Sequence, residues 1–136
     1  METLQATDNL TRWLLTNGTT FESLGHLVLA LRRHLRTLGV PADRLYLGTL
    51  LLHPQAAAYY VVCEGGSDVW RDVEIPHAEY ASIEESHRLN PSPMSHILDT
   101  GTSLRARLMD RTFANTPDLQ ELKDQGYTDY HGLPLH

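Results

Sequence analysis

One cysteine in 136 residues leaves Cys63 without a partner in the chain. An intramolecular disulfide and a thiolate zinc site of the usual kind are both excluded. Cys63 falls in the apolar stretch YYVVCEG, which predicts a buried and inert thiol. No apolar run approaches the roughly 20 residues needed to cross a bilayer. The opening METLQATDNLTRWLL has no basic region and no long apolar core, so it does not read as a signal peptide. A basic excess is missing too: the net charge is −6, the wrong sign for a nucleic-acid-binding surface. Internal repeats and low-complexity segments are absent. What these absences leave is one soluble, cytoplasmic domain, long enough for a core of its own, with neither membrane nor nucleic acid as a partner.

Local charge does gather. Arg32, Arg33 and Arg36 lie in one stretch, and Arg105, Arg107 and Arg111 in another. Each run reads as a solvated face.

Helix signals open the chain. In TDNLTRWLLTNG, Leu10, Trp13 and Leu14 share a face, Thr7 or Asp8 can cap the start, and Gly18 ends it. TTFESLGHLVLALRRHLRTLG begins with Thr19 and Glu22 at capping-box spacing. Leu24, Leu27 or Val28, Leu31, Leu35 and Leu38 then recur at the helical period, and Gly39 with Pro41 beyond closes the element. The long leucine face suggests that part of it packs on a second copy of the chain.

After VPAD the pattern changes. RLYLGTLLLH and AAAYYVVCEG are short apolar runs bounded by Pro54 and by Gly65-Gly66, and they read as buried strands. DVWRDVEIP alternates, with Val69, Arg71, Val73 and Ile75 on one side and Trp70, Asp72 and Glu74 on the other. The EGGSD turn makes it a hairpin partner of the strand before. HAEYASIEESHRLNPS is polar, shows no strong period, and is expected to be a mobile connector or lid. SPMSHILDTG and TPDLQELKDQG each place a hydroxyl cap, a proline at the first helical position and a glycine stop around a short helix. SLRARLM and TDYHGLPL read as strands.

The order helix, helix, three strands, helix, strand, helix, strand predicts an α+β domain. A central antiparallel sheet would carry its helices mainly on one face, as PAS and GAF sensor domains do. The helical N-terminal segment spans 1–39 and the sheet-containing core 40–136.

A resemblance runs through the same residues. WLLTNG, LRTLGVPADRLYLGTLLLHP, SPMSHILDTGTSLRARL and LKDQGYTDYHGLPL resemble, in order, the N-terminal regulatory region of bacterial class III adenylate/guanylate cyclases. The likeness extends from about Trp13 to Leu135. One stretch departs from it. Where the family carries a Trp-Arg pair soon after His-Pro, this chain has AAAYYVVCEGGSDVWRD, and Trp70-Arg71 arrives only after the hairpin. The resemblance implies a sensory module without catalysis of its own, preceding a cyclase domain that this chain does not contain. It also implies a homodimer through the N-terminal helices, because class III catalytic sites form between two subunits.

Candidate chemistry is sparse. Eight histidines are many for this length, yet no pair sits at the i, i+4 spacing of a helical zinc site. His26 and His34 are about 80° apart around their helix. A single axial histidine suffices for haem, and His53, His96 and His131 are the candidates. Tyr46, Tyr59, Tyr60, Trp70 and Tyr130 fall on expected strands and could line a small-molecule pocket or pack in the core. Thr128 and Asp129 after Gly126 fit a turn that caps the helix and aims Tyr130 inward. Asp129, His131 and Ser92 or Ser95 lack a nucleophile elbow. The alternatives to a sensor are a small stand-alone enzyme using His and Asp, or a purely structural dimerisation domain.

Overall fold

A computed structural model describes residues 2–66, 68–90, 92–110 and 116–135. Ser67 of the expected hairpin turn, Arg111 and His136 lie outside that range. The chain forms two compact units, 1–77 and 78–136.

The first unit holds α1 (Glu2–Asn17), α2 (Leu24–Thr37), β1 (Arg44–Leu50), β2 (Ala58–Glu64) and β3 (Arg71–Ile75). The strands form an antiparallel sheet in the order β1-β2-β3. Register pairs Leu45 with Cys63 and Leu47 with Val61 on one face. Strand side chains alternate between faces, so Tyr46, Gly48 and Leu50 point the other way. Val28 and Leu29 of α2 pack with Val61 and Cys63, and Leu24, Leu45, Leu47, Tyr59 and Trp70 close round them. Cys63 is fully buried and free, as expected from its apolar run.

Helix α2 begins one turn later than the Thr19–Glu22 spacing implies. Ser23 is the cap, its Oγ accepting from the His26 backbone N–H at 3.2 Å. Its end is as predicted: Gly39 has φ +82°, and the Val40 N–H reaches back to the Leu35 carbonyl at 2.9 Å. Gly25 is on the buried face because Trp70 lies across it. A Cβ there would stand 2.1 Å from the Trp70 Nε1. Trp13 of α1 stacks on His34 of α2 at 4.7 Å and 11°, and Asn9 Oδ1 lies 3.0 Å from His34 Nε2.

Arg32 departs most from its sequence reading. Its neighbours Arg33 and Arg36 are exposed and paired with Asp68 and Asp43, as a solvated face should be. Arg32 is instead only 3% exposed. Its Nε donates to the Ala42 carbonyl at 3.0 Å, Nη1 to Cys63 Sγ at 3.2 Å, and Nη2 to the Gly65 carbonyl. The helical period brings position 32 onto the same side as Val28, and the guanidinium then has to find acceptors inside.

The second unit holds α3 (His77–Leu89), α4 (Pro93–Thr100), β4 (Leu104–Arg107), α5 (Pro117–Asp124) and β5 (Asp129–Gly132), with β4 and β5 antiparallel. Its core is Ala106, Leu108 and Leu119, joined by Leu122, Tyr127 and Tyr130. Ser92 and Ser95 form a reciprocal capping box ahead of α4. Gly126, at φ +95°, ends α5, with the Tyr127 N–H on the Leu122 carbonyl. Thr116 occupies the cap position of α5 without a side-chain bond.

Two expectations are corrected. The chain is α+β, but among the described residues its strands form two small antiparallel sheets rather than one central sheet. The segment expected to be a connector is the helix α3. Only Tyr80, Ile83 and His87 are half-buried along it and no residue is fully buried. Its apolar stripe is therefore two residues and an imidazole, too thin to stand out as a period.

Arg32→Leu is expected to destabilise the protein by about 1–3 kcal/mol, because it takes the donor from two part-buried carbonyls and from the buried Cys63 thiol. Arg32→Lys should rescue little of this, since an ammonium lacks the forked geometry that reaches separate acceptors. Urea midpoints check both, and a wild-type midpoint for the lysine variant would refute the clasp.

Candidate functional site

The face of the three-stranded sheet turned away from α2 collects aromatic and aliphatic side chains. Tyr46, Gly48 and Leu50 of β1 register with Val62, Tyr60 and Ala58 of β2, and these with Arg71, Val73 and Ile75 of β3. Tyr46 and Leu50 are 37% and 54% exposed, whereas Val62 and Ala58 are buried beneath their neighbours.

The pair at its centre is Tyr46 and Tyr60, stacked with ring centroids 5.1 Å apart and 28° between planes. They are diagonal neighbours across the ladder, since Tyr60 sits directly opposite Gly48. Gly48 is what lets them meet. A Cβ there would be 3.0 Å from the Tyr46 ring and 3.1 Å from its hydroxyl oxygen. The missing side chain leaves a notch into which Tyr46 leans. Arg44 stands 5.8 Å over the Tyr46 ring while its Nε donates to Glu64 at 3.0 Å. This end of the face is thus a ladder of carboxylate, guanidinium and two phenols. With Tyr60 stacked on it and Arg44 over it, the half-exposed Tyr46 ring presents an apolar edge beside a phenol and a guanidinium.

The other candidate residues are dispersed. Tyr59 and Trp70 belong to the α2 side of the sheet, where both border the core. Tyr59 donates to Asp72 at 3.1 Å. Its phenol is pushed above 10.0, first by burial and then by the Asp72 bond and the negative charge of Asp72 and Glu74. His53 sits in the β1–β2 connection, exposed, with Nδ1 accepting from the Gln55 N–H and its carbonyl 2.8 Å from His77 Nε2. In the second unit His96 is exposed on α4, His131 is exposed on β5, and Tyr130 is directed into the core. Tyr130 points inward by its place on β5, towards packing, while α5 is closed at Gln125 to Tyr127 rather than by a Thr128–Asp129 side-chain cap.

Among the described residues no group of three or more His, Cys, Asp or Glu could hold a metal ion. Shallow concavities occur along α1, one lined by Asn9, Arg12, Trp13, Thr16 and Asn17. Tyr60 was singled out in the sequence only as one of several strand aromatics. The signal that marks it, a glycine two positions along from a tyrosine on the partner strand, needs the register to be read.

No helix among the described residues is long and apolar enough to cross a membrane. No family model, no curated protein and no solved structure matches the chain.

Gly48→Val is expected to drive the Tyr46 ring off Tyr60 while costing under about 1 kcal/mol, because valine suits an exposed strand. Near-ultraviolet circular dichroism should lose tyrosine signal with little change in unfolding midpoint; an unaltered spectrum would contradict the notch. Tyr59 should ionise above the ordinary phenol value of 10.0, and Asp72→Asn should bring it down. The sign for stability follows: the neutral phenol contributes below the unfolded value, and that contribution is lost as pH climbs through the raised one. Spectrophotometric titration of wild type and variant decides this.

Proposed function

We propose that the chain is a non-catalytic sensory and dimerisation module that regulates a class III adenylate/guanylate cyclase, with the Tyr46–Tyr60 face as the place where its effector is read. The observation that carries the reading is the stacked tyrosine pair held in the Gly48 notch. A half-exposed aromatic edge beside phenol groups and one guanidinium suits a small molecule with an apolar body and a polar or anionic group. The ordered motifs from Trp13 to Leu135 supply the cyclase context.

The protein dimerises through its N-terminal helices. Leu4 and Leu15 of α1 are 71% and 81% exposed and lie on nearly the same helical azimuth. An effector on the sheet face favours one dimer arrangement over another, and this bias is what a cyclase domain would receive. A PAS- or GAF-like sensor fits the helix-on-sheet build of the first unit. Haem is a further candidate effector, with an axial imidazole from His53, His96 or His131.

The test is the native mass and ultraviolet–visible spectrum of the protein as purified from cells. A dimer mass carrying an excess that Tyr60→Ala removes is expected, and a Soret band would name the effector as haem. A dimer whose excess mass survives Tyr60→Ala would displace the effector from this face. A monomer at all concentrations would remove the dimerisation part of the proposal.

A further inference from the structure

Four arginines are answered by carboxylates: Arg33 by Asp68, Arg36 by Asp43, Arg44 by Glu64 and Arg88 by Glu85. Arg32 is spent on carbonyls and a thiol inside the first unit. Among the described residues Arg12 and Arg71 are exposed without a carboxylate partner as well, but singly; Arg105 and Arg107 share that condition side by side. Both are exposed on β4, and the residue between them, Ala106, is in the core of the second unit. Strand alternation therefore sends both guanidiniums off the same outer face. On β5, His131 is the register partner of Arg105 and Asp129 that of Arg107, and both are exposed.

Among the described residues neither guanidinium makes an ion pair or a side-chain hydrogen bond, even though Asp129 is the cross-strand neighbour of Arg107. The chain has 17 acidic residues against 11 basic ones, so carboxylates are not scarce. Two adjacent unanswered guanidiniums beside an imidazole concentrate positive charge against the sign of the whole molecule. Asp129 trims that charge at one end only. The two arginines are alternate residues of one strand, so their like charges stand side by side on one face, and an anionic partner offsets that repulsion.

The shape of the face says which anion. Among the described residues of the second unit it is a two-stranded surface whose outward side chains Arg105, Arg107, Asp129 and His131 are all exposed, which suits an extended partner rather than an enclosed ion. Its two arginines are two strand residues apart, about 7 Å. That is also the spacing of alternate side chains on an extended peptide. We propose that the outer face of β4 and β5 docks an extended acidic polypeptide segment, with carboxylates two residues apart meeting Arg105 and Arg107 and His131 donating beside them. This interaction surface is separate from the tyrosine face and stands or falls independently of it.

The experiment is fluorescence anisotropy of the whole chain with a labelled oligoglutamate, using oligoglutamine of the same length as the neutral control. Oligoglutamate is expected to bind and to weaken with salt. Arg105→Ala and Arg107→Ala should each reduce affinity by about two- to fivefold, the range of exposed charge pairs. The double reversal Arg105→Glu with Arg107→Glu should abolish binding, whereas Arg88→Ala leaves it unchanged. Circular dichroism checks folding, and if the double variant misfolds the two alanine variants decide. No binding, equal binding of oligoglutamine, or an equal loss with Arg88→Ala overturns the proposal. So does a preference for inorganic phosphate or for phosphatidylglycerol vesicles over the peptide.

Discussion

A positively charged guanidinium enclosed by protein must be solvated by whatever the fold supplies, and the first unit is arranged around how that is done for Arg32. Its fork reaches three places at once: the carbonyl of Ala42 ahead of β1, the thiol of Cys63 in β2, and the carbonyl of Gly65 in the turn after β2. None of these is a carboxylate, so the bonds are to dipoles. Many of them are needed to offset the desolvation of one charge. The result is that helix α2 cannot shift without the loop before the sheet and the hairpin turn moving with it. Leu24, Val28 and Leu29 provide apolar attraction to the sheet, but that force is non-directional. The clasp supplies the direction and register.

With α2 held on one side, the two faces of the three-stranded sheet acquire different tasks. The α2 side is filled by Val61, Cys63, Leu45 and Leu47, with Trp70 drawn in over Gly25. The opposite side keeps Tyr46 and Leu50 partly open. A sheet with both faces polar could not form this core. The alternation of RLYLGTL writes this division into seven residues, Leu45 and Leu47 inward and Tyr46 outward.

Much of this was legible in the sequence, and the misses share a cause. Helix α2, its glycine stop at Gly39, the Ser92-Pro93 start of α4 and all five strands follow from signals within a few residues of each other. Such signals act locally and are read locally. Arg32 was hidden because arginines 32, 33 and 36 look alike in sequence; only the rotation of the helix against β2 separates the buried one from its exposed neighbours. Helix α3 was hidden because Tyr80 and Ile83 are its main apolar contributions. The division into two sheets was hidden because strand pairing depends on long-range register. That register also decides that Tyr46 finds Tyr60 while Tyr59, one residue away, faces the core.

Gly48 gives the outer face a property that the core does not share. Any side chain placed there grows from an exposed strand position, away from the α2 side where the packing is dense. Changes of size at this single site would re-space the two phenols and so alter what shape the surface accepts, leaving the clasp and the core untouched. The shape of this face and foldedness are thus carried by separate residues. A descendant of this chain could reshape its outer face through one codon, without first having to repair its stability.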